Sequence, residues 1–202
     1  METYTYKHFP DRISSAHIAL FTTVKNAAEL RSRIVKAATT EGPEGKVERE
    51  TVNFAFIEAK LVTSRLHLQT AVYQSMLADA QNALKTKTVH SEIIWSLNPT
   101  NTITEALRRF GVSDNSNSLL VVRVGQQAVP VSEVESQMKS VVEGDLVSIE
   151  TLSDIIDWAA VKKYYKLNGE SAIAALENDR SKQNAVVDEL VTSFVAMKSV
   201  MS

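Results

Sequence analysis

Cysteine is missing from the chain. That excludes disulfides, thiolate metal sites and cysteine nucleophiles, and it fits a reducing cytoplasmic or nuclear compartment. Glycine is scarce as well, with six residues at positions 42, 45, 111, 125, 144 and 169. So dispersed, they build neither a GxxxxGK phosphate cradle nor a GxGxxG turn nor a GxSxG nucleophile elbow. The four histidines, His8, His17, His67 and His90, stand far apart and form no HExxH or comparable ligand spacing. Long apolar runs are lacking too: nothing reaches the length of a membrane-spanning helix, and the opening METYTYKHFP has no apolar signal core. Carboxylate pairs such as Glu133/Glu135 and Asp154/Asp157 sit in polar stretches with no apolar or basic setting to shift their titration. The expectation is a soluble, cytoplasmic and nuclear protein with no catalytic residue, no metal, no cofactor and no membrane partner.

What is present suffices for one core. A chain of 202 residues that is 44% hydrophobic can bury a substantial interior, and a single α+β domain is expected, with a small, mainly antiparallel sheet packed by helices. Strands are expected near 15–23, 51–57, 118–125 and 145–150. In the first, Ile18 and Leu20 alternate with His17 and Phe21, which makes His17 a packed residue rather than a ligand. SLLVVRV is continuously apolar, as a strand buried on both faces would be. Asn26 opens a helix whose Leu30, Ile34 and Val35 face inward. The run 41–51, with two glycines, a proline and mixed charge, reads as a flexible surface loop. Two apolar stripes, Leu61/Leu68/Val72/Met76 and Leu66/Tyr73/Leu77/Leu84, predict one long helix over 56–84, with Arg65 and His67 off its buried arc. VSEVESQMKSVV gives a shorter helix with Ser132 as a candidate cap and Gly144 ending it. In VKKYYKL the lysines and tyrosines suit either snorkelling and core packing or RNA stacking, the former being commoner.

Charge is unevenly spread. The formal net charge of -2 argues against wholesale nucleic-acid binding. Yet 60–109 carries six basic residues against three acidic ones, whereas 128–157 sets Lys139 alone against seven carboxylates. The second block is expected to lie away from any basic site.

Two short helices are expected in 85–112, KTKTVHSEIIWSLNPTNTITEALRRFGV. Ser91 would cap the first, Asn98-Pro99 would stop it, Thr102 or Thr104 would restart the second, and Gly111 would end that in a left-handed conformation. Ile93, Ile94, Leu97, Ile103, Leu107 and Phe110 would share one core. The final helix, over 181–201, repeats apolar residues at Val187, Leu190, Phe194, Met197 and Met201, widened by Val186, Val191 and Val195. That face is broader than a sheet needs, and its surplus suits a protein partner.

TVHSEIIWSLNPTNTITEALRRFGVSDNSNSLLVVRV resembles the central block of the TPRKB-type kinase-binding subunits of the EKC/KEOPS complex: a Thr-rich lead-in, an acidic residue before two aliphatics, an Asn-Pro turn, Ile-x-x-Ala-Leu, Phe-Gly and an aliphatic strand, in that order. The likeness spans roughly 15–200. It implies a non-catalytic subunit of the complex that makes threonylcarbamoyladenosine beside the anticodon of tRNAs reading codons that begin with A. The direct partner implied is the atypical kinase/ATPase subunit, with the carbamoyl-transferase subunit indirect in the same complex. Kinase binding is then expected through Val187, Leu190, Val191, Phe194 and Met197. A second expectation, and an alternative main role, is recognition of the tRNA 3′ CCA end by Lys60, Arg65, Lys85, Lys87, Thr88, Asn98 and Asn101, with lysines on phosphates and amides or hydroxyls on unstacked bases.

Overall fold

The computed structural model describes residues 1–176 and 179–201, Met201 by its backbone only. In chain order the elements are β1 (Glu2–Thr5), β2 (Ser15–Thr22), α1 (Ala27–Thr39), α2 (Gly42–Thr51), β3 (Ala55–Glu58), α3 (Arg65–Ala80), α4 (Val89–Leu97), α5 (Ile103–Phe110), β4 (Leu119–Gly125), α6 (Val131–Val141), β5 (Asp145–Val147), α7 (Trp158–Tyr164), α8 (Ser171–Ala174) and α9 (Arg180–Met201). The fold is α+β, as expected from the sequence.

The sheet is antiparallel in the order β1-β2-β4-β3, with β5 also pairing β2. Its two central strands register Ile18 against Val122 and Phe21 against Leu119. Both faces are covered, which is why β4 is apolar from Leu119 to Val122; Arg123 interrupts it and turns its guanidinium to the Asn53 carbonyl at 2.6 Å. Ile18, Leu20, Ile57, Leu120 and Val122 point into one core, filled from α3, α4, α7 and α9. Ala19, Phe21, Phe56, Leu119 and Val121 point into the other, filled from α1 and α6. Each buried Leu, Ile or Phe contributes roughly 2 kcal/mol of transfer free energy, so these alternating positions fix the register.

Several expectations are corrected. Residues 42–51 form α2 instead of a flexible loop: Arg33 pairs with Glu48 at 2.8 Å, and the Arg49 guanidinium donates to the carbonyls of Ala37 and Thr40 at the end of α1. Its ties are polar and Gly45 is its buried residue, so no apolar periodicity announces it. The expected long helix over 56–84 is β3, a 3-10 turn at Ala59–Leu61 and then α3, started by Ser64, whose hydroxyl accepts from the His67 amide at 3.0 Å. Of the second stripe, Leu77 packs on the core but Leu66 and Tyr73 are exposed and Leu84 lies beyond α3, whereas His67 is wholly buried. Val35 is likewise exposed on α1, and Ile103 and Leu107 on α5. Thr88, not Ser91, caps α4, with Ser91 returning the bond to the Thr88 amide in a capping box. Pro130 rather than Ser132 precedes α6, which ends at Val141. Gly111 has φ of -80°, so it is no left-handed cap; a side chain there would stand 2.5 Å from the Leu107 carbonyl, and close approach is what requires glycine.

Candidate functional site

The C-terminal helix α9 lies against α3, with Gln74 of α3 donating to the Ala196 carbonyl at 3.1 Å and Thr63 to Asp188 at 2.6 Å. Its inward stripe is Val187, Val191, Val195 and Lys198, at four-, four- and three-residue steps. Val187 and Val191 are fully buried in the chain's own core, so they cannot touch a partner and leave the expected kinase-binding set. The sequence made the stripe look too broad because half of it is needed to seat the helix. What faces out is the flank: Leu190 and Phe194 are half-buried, Met197 is 54% exposed and Val200 79%. Phe194 packs edge-on to Tyr165, just past α7, at 6.0 Å between ring centroids, so only part of its ring is on offer. The Met201 side chain lies outside the described residues.

Lys198 was not anticipated. It is 6% exposed, and its Nζ donates to the backbone carbonyls of Trp95 (2.5 Å), Asn98 and Thr100 (3.1 Å) while lying 3.8 Å from the centre of the Trp95 ring. These carbonyls close α4 and line the turn into α5; the Trp95 carbonyl also takes the Asn98 amide at 3.1 Å and the Thr100 carbonyl the Asn98 side-chain amide at 3.0 Å, so Lys198 adds a second donor to each. Burial pulls the Lys198 amine down to about 7, and the charge of Glu92 opposes that shift. A lysine spaced in phase with three inward valines is the signal that could have revealed it.

The same helix end has a second tie. Tyr165 donates its hydroxyl to the Leu97 carbonyl and faces His67 Nε2 at 3.2 Å. His67 Nδ1 accepts from the Thr63 amide at 3.2 Å, which leaves the proton on Nε2, toward Tyr165. Burial pushes His67 down to about 3 and raises the Tyr165 hydroxyl. His67 thus belongs to a buried relay running from Asp188 of α9 through Thr63, His67 and Tyr165 to the end of α4.

At the other end of α4, buried Glu92 accepts from the amides of Lys85 and Thr86 and from the Thr86 hydroxyl, folding the Thr-rich lead-in over the helix start. Lys85 and Lys87 remain exposed. Between α3, this lead-in, α4 and α9 lies a cleft of about 190 Å³, bordered by Gln74, Gln81, Lys85, Trp95, Lys198 and Ser199.

The expected tRNA-binding residues are not gathered in one place. Lys85, Lys87 and Thr88 are at the start of α4, while Asn98 and Asn101 are past its end, about 13 Å away along nine helical residues. Thr88 spends its hydroxyl on the capping box. Asn98 is wholly buried and donates inward to Thr100 (Oγ1 2.8 Å, carbonyl 3.0 Å), so it shapes the turn and cannot read a base. Asn101 is exposed and gives its carbonyl to Trp95 Nε1 at 3.3 Å. Arg65 is held by Glu2 (2.8 Å) and Glu150 (2.6 Å), and Lys60 stands 3.8 Å from Glu58. Arg65 opens α3 and Lys60 lies in the 3-10 turn before it, and the sixteen residues of α3 put its other end about 24 Å off. Glu150 belongs to the acidic block expected to keep clear of the basic site, and it is what occupies Arg65. In VKKYYKL, Tyr165 is core and Tyr164 lies under the Arg109 guanidinium at 4.8 Å. Among the described residues no group of three His, Asp or Glu could hold a metal ion, and no helix is long and apolar enough to cross a membrane.

Known proteins resemble this chain over its whole length. A protein of Cryptococcus neoformans var. neoformans named EKC/KEOPS complex subunit CGI121 is 37% identical, covering 100% of both chains. A Gibberella zeae protein of the same name is 34% identical over 99% of each, and one of Candida albicans 28% identical over 83% of this chain and 85% of its own. The family model described as kinase binding protein CGI-121 matches residues 21–199, from the end of β2 almost to the end of α9. The chain therefore belongs to the CGI-121 family of kinase-binding proteins.

Proposed function

We propose that this protein is a non-catalytic subunit of an EKC/KEOPS complex, acting in the formation of threonylcarbamoyladenosine in tRNA, and that it docks on the atypical kinase/ATPase subunit through the outward flank of α9 and modulates its turnover. The observation that carries this reading is the partition of α9: one stripe is consumed by the core, and the family's kinase-binding character leaves Leu190, Phe194, Met197 and Val200 as the apolar surface for a partner. The carbamoyl-transferase subunit is reached only through the complex, and the protein works in the cytoplasm and nucleus. Titration of the purified kinase subunit with the wild type and with a Leu190→Arg/Met197→Asp variant tests it. Binding should weaken at least 100-fold with the circular dichroism spectrum unchanged, and undiminished binding by the variant overturns the assignment.

A second role, capture of the tRNA 3′ end, is favoured by the exposed Lys85 and Lys87 on a backbone pinned by Glu92. Gel shifts with intact tRNA and tRNA lacking CCA decide it: equal affinity removes end recognition, and steep loss of both with salt marks generic phosphate contact.

A further inference from the structure

We infer that Lys198 is a positioning residue: by holding three carbonyls of the Trp95–Thr100 segment, it makes the shape of the α4–α5 turn depend on how α9 is seated, so that a protein docking on the α9 flank stiffens the turn. The coupling half of this inference rests on the proposed kinase docking; the hold of Lys198 on the turn does not.

The geometry is specific. One nitrogen reaches Trp95, Asn98 and Thr100, residues spread across the last turn of α4 and the Asn-Pro bend, and it comes from the last two turns of a helix otherwise anchored by Val187, Val191 and Val195. An ammonium has three protons, and three carbonyls take them. The Asn98 side chain adds two bonds inside the turn itself, to the hydroxyl and the carbonyl of Thr100. The second tie, from Asp188 through Thr63, His67 and Tyr165 to Leu97, begins about three turns earlier on the same helix. The turn is thus fastened to α9 twice, while Met197, next to Lys198, is exposed on the flank. A partner gripping that flank restrains fraying of the helix end that carries Lys198. Local opening of this kind is what amide exchange reads.

The test is hydrogen exchange on the full chain, wild type against Lys198→Met, which keeps the stem and loses the donors. Exchange across 98–104 should quicken at least tenfold in the variant, with β2 and β4 unchanged. Equal rates across 98–104, or an equal rise in β2 and β4, overturns the inference, the latter by showing a general loss of stability. Because the chain has no other cysteine, Lys198→Cys can be alkylated in urea with 2-bromoethylamine and refolded beside a wild-type control, returning an amine of nearly the same length. Slow exchange should return with it, and failure to return counts against a role for the amine. In the coupling arm, saturating kinase subunit should slow exchange across 98–104 in the wild type and leave Lys198→Met unslowed. A complex that forms without slowing the turn overturns the coupling alone. No complex with the wild type overturns the docking reading and the coupling with it, while the first comparison still decides the hold.

Discussion

His67 and His90 are both buried, and both are drawn down to about 3, from the usual 6.5, by removal from water, with Arg123 adding repulsion at His90. At His90 an amide proton is accepted as well: Nε2 takes the Val124 N–H at 2.9 Å, and Nδ1 lies 2.8 Å from Asn53 Oδ1. Each imidazole is therefore neutral in the fold, while the unfolded chain protonates it near 6.5. Between about 6.5 and 3 the unfolded state binds more protons, so stability falls with acidification by up to ~1.4 kcal/mol per pH unit for each ring. Urea midpoints should drop from pH 7 to pH 5, and His90→Gln should show a shallower drop; a flat profile in the wild type would contradict the assignment. Asn98 gives a second residue-level expectation. Its amide fastens the turn, so Asn98→Ala should cost about 1–2 kcal/mol in urea unfolding. An unchanged midpoint would return Asn98 to the pool of ligand contacts.

At the scale of the element, α9 serves two surfaces at once: Val187, Val191 and Val195 are buried, Met197 and Val200 are exposed, and Leu190 and Phe194 pack on the core while staying partly exposed. Val191→Ala removes buried methyls and should cost about 2 kcal/mol of stability. Met197→Asp, on the exposed flank, should leave the melting temperature within about 2 °C of the wild type yet weaken kinase binding. If the two variants exchanged these effects, the phase would be wrong. The helix itself was legible, since its three-four spacing fixed its extent to within a residue; which half of its stripe faced home was not, because periodicity gives a face and not the neighbour beyond it. The same limit explains Leu66, Tyr73, Ile103 and Leu107, apolar residues in phase with a helix but left outside by packing. α2 was unreadable for the opposite reason, its hold on α1 being polar. Lys198 and Glu92 were missed because a buried charge is recognised only once the carbonyls or amides around it are in place. In α4 the helix was found, but the cap was placed three residues late: Thr88 and Ser91 bond to each other, and sequence shows two hydroxyls without showing which one begins the helix.

For the whole molecule, a sheet covered on both faces divides the labour. One layer, with α1 and α6, closes a core, and the other, with α3, α4 and α9, closes a second core while presenting the flank, the turn and the lysine-bearing lead-in. The order of the strands was beyond the sequence, because antiparallel neighbours leave no trace of who pairs with whom. The α+β class followed from composition and strand patterning, and the family followed from the 85–124 block. The central claim is that the chain meets its kinase partner along the outer side of its last helix. The most direct measurement is a hydrogen-exchange footprint of the purified kinase subunit on the full chain. We predict protection concentrated at 190–200, with α1, α2 and α6 unaltered; protection centred on α1, α2 or α6 with 190–200 unchanged would contradict the account.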